Sequence, residues 1–200
     1  RVQRFAPKLM RSLERAIAFC QSTLSYGKAQ EAPPDRRMIA IEPIANEVRE
    51  SVGLATDDSI VWINAIERGL VADADPDQLF RVLLNLVRNA AQAMESHAGS
   101  DISPKQIRIA GRREGSVTII EVSDTGPGVP LKAREHLFEA FQGSARAGGT
   151  GLGLAIAAEL VRAHGGELNL VEGTIGATFR IAIPDRPVEL SHLRIERARA

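Results

Sequence analysis

Apolar residues recur along this chain at two periods, and the periods separate it into segments. Phe5, Leu9, Leu13, Ile17, Cys20 and Leu24 stand three or four residues apart, which places them on one stripe of a helix. Lys8, Arg11 and Arg15 lie off that stripe. Gly27 is a natural stop, and Ala32-Pro33-Pro34-Asp35 reads as a linker. One isolated helix cannot bury such a stripe, so the pattern predicts a partner helix from elsewhere in the chain or from a second copy.

Beyond the linker the period changes repeatedly. Met38–Glu42 predicts a short strand, Ile44–Val52 a helix, and Ile60–Ile66 a β-branched strand. Leu70–Ala72 is placed to pair with that strand across a turn at Arg68-Gly69. Asp75-Pro76-Asp77-Gln78 predicts a capped helix start, with Gln78 completing a capping box and the helix running to about Ser96. Ile107–Arg113 and Val117–Asp124 predict a hairpin through Glu114-Gly115. Leu152–His164 predicts a helix stopped by Gly165-Gly166, with His164 on its last carbonyls. Glu167–Val171 and Ala177–Ile183 predict a final hairpin. Strand pairs adjacent in sequence fit an α+β fold, with a mixed, mostly antiparallel sheet covered by helices on one face.

Composition narrows the function classes. Hydrophobic residues make up 44% and charged residues 25% of the 200, so a buried core is expected. The formal net charge is zero, which argues against a partner held by phosphate attraction such as nucleic acid. A single cysteine excludes an intramolecular disulfide and a cysteine-rich zinc site. No apolar run approaches the roughly 20 residues of a membrane span. Residues 1–37 carry eight basic and three acidic side chains, so the remainder is net negative and two modules are expected.

Three features carry chemistry. On the helix from Pro76, Phe80, Leu83, Leu84, Val87, Ala91 and Met94 predict the core face, opposite a polar stripe of Gln78, Arg81, Asn85, Asn89 and Gln92. Asn85 and Asn89 are four apart and project the same way, and their hard carbonyl oxygens suit Mg²⁺. Two solvated asparagines are the plainer alternative. Asp124-Thr125-Gly126-Pro127-Gly128 follows a strand. The acid there can accept a hydrogen bond from the amine of adenine, or simply make a turn. Gly148-Gly149-Thr150-Gly151-Leu152-Gly153-Leu154 runs into a helix, where bare backbone and free amides favour an anion. It is neither a Walker A loop nor a Rossmann fingerprint. Between them, Phe138 and Phe141 precede a Gly/Ala/Ser stretch that reads as an anchor and a lid, with Arg146 its full positive charge.

Taken in order, Asn85…Asn89, Asp124-x-Gly126-x-Gly128, Phe138…Phe141, Gly149-x-Gly151-x-Gly153 and Gly176-x-Thr178 resemble the catalytic ATP-binding domain of bacterial sensor histidine kinases, a branch of the GHKL superfamily. Residues 36–184 carry the likeness. It implies a two-layer α/β sandwich in which Asn89 binds Mg²⁺ with Asn85 beside it. Asp124 would hold the adenine of ATP, helped by Thr178, in a pocket shaped by Gly126 and Gly128. Gly149, Gly151, Leu152, Gly153 and Leu154 would bind the phosphates, and residues 142–149 would form the lid. Relatives that hydrolyse ATP carry a Glu where Asn85 stands, and an amide cannot act as general base. Many relatives have a Lys at the place of Gln92, so Arg81, Arg88 or Arg146 is the expected substitute.

The resemblance also assigns segments. Residues 1–30 would be the second helix of a dimerisation and phosphoacceptor hairpin, forming a four-helix bundle in a homodimer. Residues 31–37 would be a linker, 38–184 the catalytic domain and 185–200 a charged tail. None of His97, His136, His164 and His192 sits in an acceptor box. The acceptor is therefore expected outside these residues, and the partners are a response-regulator receiver domain and a second copy of the chain, in the cytoplasm. Two further readings stand beside this one: an anti-sigma-type protein-serine kinase and a non-catalytic docking module.

Overall fold

A computed structural model describes residues 33–55, 59–95, 104–140 and 151–187. The N-terminal apolar stripe, His97, the lid with Gly149 and Arg146, and His192 lie outside the described residues.

The elements run β1 (Arg37–Ala40), α1 (Ile41–Ser51), β2 (Val61–Ile66), β3 (Val71–Ala74), α2 (Pro76–Glu95), β4 (Gln106–Glu114), β5 (Val117–Asp124), α3 (Leu131–Arg134), α4 (Gly153–Ala163), β6 (Glu167–Val171) and β7 (Thr178–Pro184). Five strands form one sheet in the order β2-β4-β5-β7-β6, and β1 and β3 form a separate two-stranded ribbon. The β4–β5, β5–β7 and β6–β7 pairs are antiparallel, and β2–β4 is parallel. The mixed, mostly antiparallel sheet expected from the sequence is therefore present.

Strand alternation places the core on one face of this sheet. Ile107 and Ile109 of β4, Ile120 and Val122 of β5, and Phe179, Ile181 and Ile183 of β7 are all at most 2% exposed. Ile44, Ala45 and Val48 of α1, Leu83, Leu86 and Val87 of α2, and Ile156, Ala157 and Leu160 of α4 belong to the same buried cluster. The opposite face carries charge: Glu121 of β5 bridges Arg112 at 3.3 Å and Arg180 at 2.8 Å. No described helix is long and apolar enough to cross a membrane.

Three local expectations are corrected. Residues 70–72 do not pair with β2. The chain turns at Arg68-Gly69 but β3 pairs antiparallel with β1, matching Ile39 to Ala72. Strand β2 instead takes β4 as a parallel neighbour, with β3 and α2 as the crossover a parallel pair requires. Residues 41–42 are helical rather than extended, because Pro43 sits in the first turn, where its missing N–H costs nothing. The buried face of α2 is wider than its predicted stripe. It includes Leu79, Val82, Leu86, Ala90 and Ala93, while Phe80 and Leu84 are only partly covered. Gln78, expected on the polar stripe, is 7% exposed. A helix that meets the sheet, α1 and α4 together buries more than half its circumference.

One polar cluster ties the ends of these elements together. Asp73 of β3, 5% exposed, accepts from the Arg186 backbone at 2.9 Å and from its guanidinium at 2.9 and 3.0 Å. Arg36 lies 3.3 Å from the same carboxylate and donates to the carbonyls of Asp73, His164 and Pro184. Burial alone would raise the Asp73 pKa, but the Arg186 hydrogen bonds and the two positive charges outweigh it and hold the carboxyl below its ordinary value of 3.8. The folded pKa is depressed, so this carboxylate adds stability above that ordinary value and loses it as the pH falls through the lowered one. Asp73→Asn should lower stability at neutral pH by about 2–3 kcal/mol, discounted for the exposure of Arg186. It should also flatten the acid limb of the stability curve, as denaturant titrations at stepped pH would record. An unchanged acid limb would assign the acid sensitivity elsewhere.

Candidate nucleotide-binding site

Asp124 ends β5, at the centre of the sheet, and is 5% exposed. Its Oδ1 accepts from the backbone N–H of Gly126 at 2.8 Å and of Ala177 at 3.3 Å, and its own N–H donates to the Ala177 carbonyl at 2.9 Å. A buried carboxylate without partners would be costly, and these amides fix it in one orientation. The fit leaves no room for side chains behind it. Gly176 has φ +69°, and a Cβ there would lie 1.9 Å from the Asp124 carbonyl oxygen. Gly128 has φ +74°, and a Cβ there would lie 2.8 Å from the Gly176 carbonyl oxygen. Gly126 backs onto α2, where a Cβ would meet Met94 at 3.3 Å.

Helix α2 carries the second part. It begins under Asp75, whose Oδ1 accepts from the amides of Asp77 and Gln78 at 3.0 Å each. The capping box is only half formed: the Asp75 N–H is taken by His164 Nε2 at 3.0 Å, and Gln78 Oε1 has no partner. Asn85 and Asn89 are both half-buried. A Cβ built at Gly153 would lie 3.6 Å from Asn85 Oδ1, so the first turn of α4 opens against that amide. Ala93 and Met94, two turns further on, touch the Gly126 turn. Asn89 thus lies on the same helix between the two contacts, about 6 Å along the axis from Asn85.

Helix α4 supplies the third part. Leu152 at its N-cap makes no side-chain cap bond and buries its side chain completely. Its first-turn amides are therefore available to an anion, as the dipole favours. Leu154 is partly buried against the core and Gly151 leads into the turn. Phe138, the described half of the aromatic pair, packs edge-on against Phe179 with centroids 6.4 Å apart. Among the expected cations, Arg81 is half-buried and Arg88 exposed.

Thr178 is placed differently from expectation. It pairs with Ser123 in the β5–β7 register, and its hydroxyl bonds Ser123 Oγ at 3.1 Å. Successive residues of a strand face opposite sides, so this hydroxyl lies across the sheet from the Asp124 carboxylate. Ala177 occupies the acid's side, and its role is a backbone one that no sequence motif announces. The sequence places His164 on its own helix alone; its second bond, to Asp75, depends on a contact 89 residues away.

The arrangement brings one carboxylate, two carboxamides and an open helix N-terminus to one side of the helical layer. Comparison with known proteins agrees. The chain belongs to the family described as histidine kinase-, DNA gyrase B-, and HSP90-like ATPase, whose model matches residues 74–187. It is 34% identical over 161 residues to the sensory histidine kinase/phosphatase NtrB of Escherichia coli O157:H7, covering 78% of this chain and 46% of that protein. It is similar in structure to full-length ShkA in complex with AMPPNP, with a TM-score of 0.70 and 26% identity over 92% of this chain and 39% of that one. It shares its fold with histidine kinase ThkA in complex with the response regulator TrrA, with a TM-score of 0.73 and 22% identity over 94% of this chain and 52% of that one. The chain spans about half the length of the curated relatives it matches.

The crowded glycine generates a prediction. Gly176→Ala should lower stability by more than the 1–3 kcal/mol typical of a strained backbone residue, since the methyl also meets the Asp124 carbonyl. Thermal melting without ligand reads this. A Tm within a degree of wild type would show that the turn relaxes freely.

Proposed function

We propose that this chain is the ATP-binding kinase core of a sensor histidine kinase. It would bind Mg·ATP and transfer the γ-phosphoryl group to a histidine outside these residues, for relay to an aspartate of a response-regulator receiver domain. The observation that carries the reading is the Asp124 carboxylate held by the Gly126 and Ala177 amides, on the helix side of the sheet that also bears Asn85, Asn89 and the uncapped start of α4. The kinship with NtrB, named a sensory histidine kinase/phosphatase, supports the phosphotransfer. ThkA, crystallised with TrrA, is a protein of this fold that assembles with a response regulator.

In this reading Asp124 accepts a hydrogen bond from the adenine amine, and Gly126 and Gly128 keep the pocket wall bare. The amides from Gly151 to Leu154, with Gly149 before them, hold the phosphates. Asn89 fits a Mg²⁺ ion: it is half-buried, hard and neutral, and among the described residues no cluster of acidic, histidine or cysteine ligands competes with it. The remaining ligands would be phosphate oxygens and water. The ion supplies charge neutralisation at the phosphates. Arg146 would reach them from the lid. Asn85, beside the phosphates, has no basic lone pair with which to activate water, so hydrolysis is disfavoured against transfer to a positioned imidazole. The imidazole nitrogen bonds to the γ-phosphorus, the bond to the bridging oxygen breaks, and ADP leaves. Residues 1–30 would place that imidazole by pairing two copies of the chain.

Nucleotide at 100 times its dissociation constant should stabilise the protein by about 2.7 kcal/mol through mass action. Asn89→Ala and Asp124→Ala should each abolish the corresponding rise in Tm, and wild-type shifts in both would place the site elsewhere. Supplied with a segment bearing an acceptor histidine, the chain should produce acid-labile phosphohistidine with Mg·ATP. Acid-stable phosphoserine would favour the anti-sigma-type kinase.

A further inference from the structure

The buried imidazole of His164 makes two bonds that belong to different helices. Its Nδ1 stands 2.8 Å from the Leu160 carbonyl oxygen, inside its own helix α4. Its Nε2 stands 3.0 Å from the Asp75 backbone N–H, at the start of α2. A carbonyl only accepts and an amide N–H only donates, so the partners fix the tautomer: Nδ1 carries the hydrogen and Nε2 carries the lone pair. The residue is 1% exposed, so water does not compete for either bond.

The two helices meet a second time at the nucleotide side, where Asn85 faces Gly153. Asp75 and Asn85 are ten residues apart on one chain segment, and Gly153 and His164 are eleven apart on the other, in opposite directions. At a rise of about 1.5 Å per residue both spans are roughly 15–17 Å. The helices are therefore antiparallel and joined at two rungs of matching length. One rung lies where phosphates would bind; the other is the His164 ring. Helix α2 carries the carboxamides and α4 the anion-binding amides, so the separation between them at the first rung depends on the second.

We propose that His164 is a positioning residue for the triphosphate: it sets the spacing of the Asn85–Asn89 face from the start of α4 through its bond to Asp75. This rests on the nucleotide reading of the site. The adenine side, built from β5, β7 and the Gly126 turn, does not depend on this rung.

The groups around the ring are charged but engaged. Arg36, from the segment before β1, donates to the His164 carbonyl at 2.7 Å. Asp75 uses Oδ1 on the amides of Asp77 and Gln78 and Oδ2 on the Asp35 N–H. Asp73, on β3, is held by Arg186 and Arg36. Burial, with Arg36 acting in the same direction, holds the ring's pKa below histidine's ordinary 6.5 against the Leu160 carbonyl and the two aspartates. A depressed histidine pKa means that the neutral ring stabilises the fold above its ordinary value and that this contribution fades as pH falls through the lowered one. Protonating Nε2 would set two N–H groups against each other and release the rung.

Two isosteric variants separate positioning from simple packing. In His164→Asn the side-chain amide falls near Nδ1, which keeps the Leu160 bond and removes the Asp75 bond. In His164→Gln the terminal group reaches the place of Nε2, and its oxygen can accept from Asp75. Calorimetry with Mg·ATP and NMR titration with adenosine give the readouts. His164→Asn should weaken Mg·ATP binding by about 10-fold, the scale of one hydrogen bond, with adenosine affinity within about two-fold of wild type. His164→Gln should restore Mg·ATP affinity. Below pH 6.5, wild-type affinity should fall relative to His164→Gln with the slope of one proton. Equal loss of both ligands in His164→Asn, or no loss of either, overturns the proposal. If that variant does not fold, parallel pH profiles of wild type and His164→Gln overturn it. Failure of the wild-type protein to bind either ligand would instead remove the nucleotide reading.

Discussion

The site depends on holding one carboxylate, Asp124, ionisable and oriented beneath a helical layer. The sheet alone cannot do this, because the strand ends at that residue and its side chain projects into apolar surroundings. Two backbone amides from Gly126 and Ala177 perform the task, and they reach the acid only because Gly176 brings β7 into contact with the end of β5. The glycines around Asp124 are thus parts of a tight joint. Whatever binds there meets an acceptor of fixed direction, which is what recognition of a planar amine requires.

A second constraint acts at the other end of the cleft. Helices α2 and α4 form the most extensive helix–helix packing among the described elements and contribute complementary chemistry, carboxamides from one and bare amides from the other. Their relative position is set by apolar packing along their length and by polar bonds at both ends. The cluster of Arg36, Asp73, His164 and Arg186 anchors the end remote from the phosphates and also receives the segment that leads in from the N-terminal region. A displacement of that segment would be felt first at α4's last turn. That gives a physical route from the N-terminal region to the nucleotide, in keeping with a protein that couples a signal to phosphotransfer.

Much of this architecture is legible in the residues alone. The hairpins β4–β5 and β6–β7 follow from alternating apolar runs broken by Gly115 and by Gly173 with Gly176. The helix start at Asp75 follows from its capping chemistry, and Asn85, Asn89 and Asp124 stand out because polar residues of those types are poor choices without a partner. The departures have a common cause. Residues 70–72 pair with β1 rather than β2 because a tight turn does not determine which strand the chain meets next. Thr178 faces Ser123 because register, set across strands, decides the side of a sheet. The Arg36 and His164 contacts span 128 and 89 residues, and no local pattern reports them.

The most direct measurement is the backbone and side-chain amide NMR spectrum of the protein titrated with a non-hydrolysable ATP analogue and Mg²⁺. The account predicts joint shifts of the Gly126 and Ala177 amides, of Gly151 and Gly153, and of the Asn85 and Asn89 carboxamides. Resonances of the charged sheet face around Arg112, Glu121 and Arg180 should stay in place. Saturable shifts confined to that opposite face, with the Asp124 turn unmoved, would contradict it.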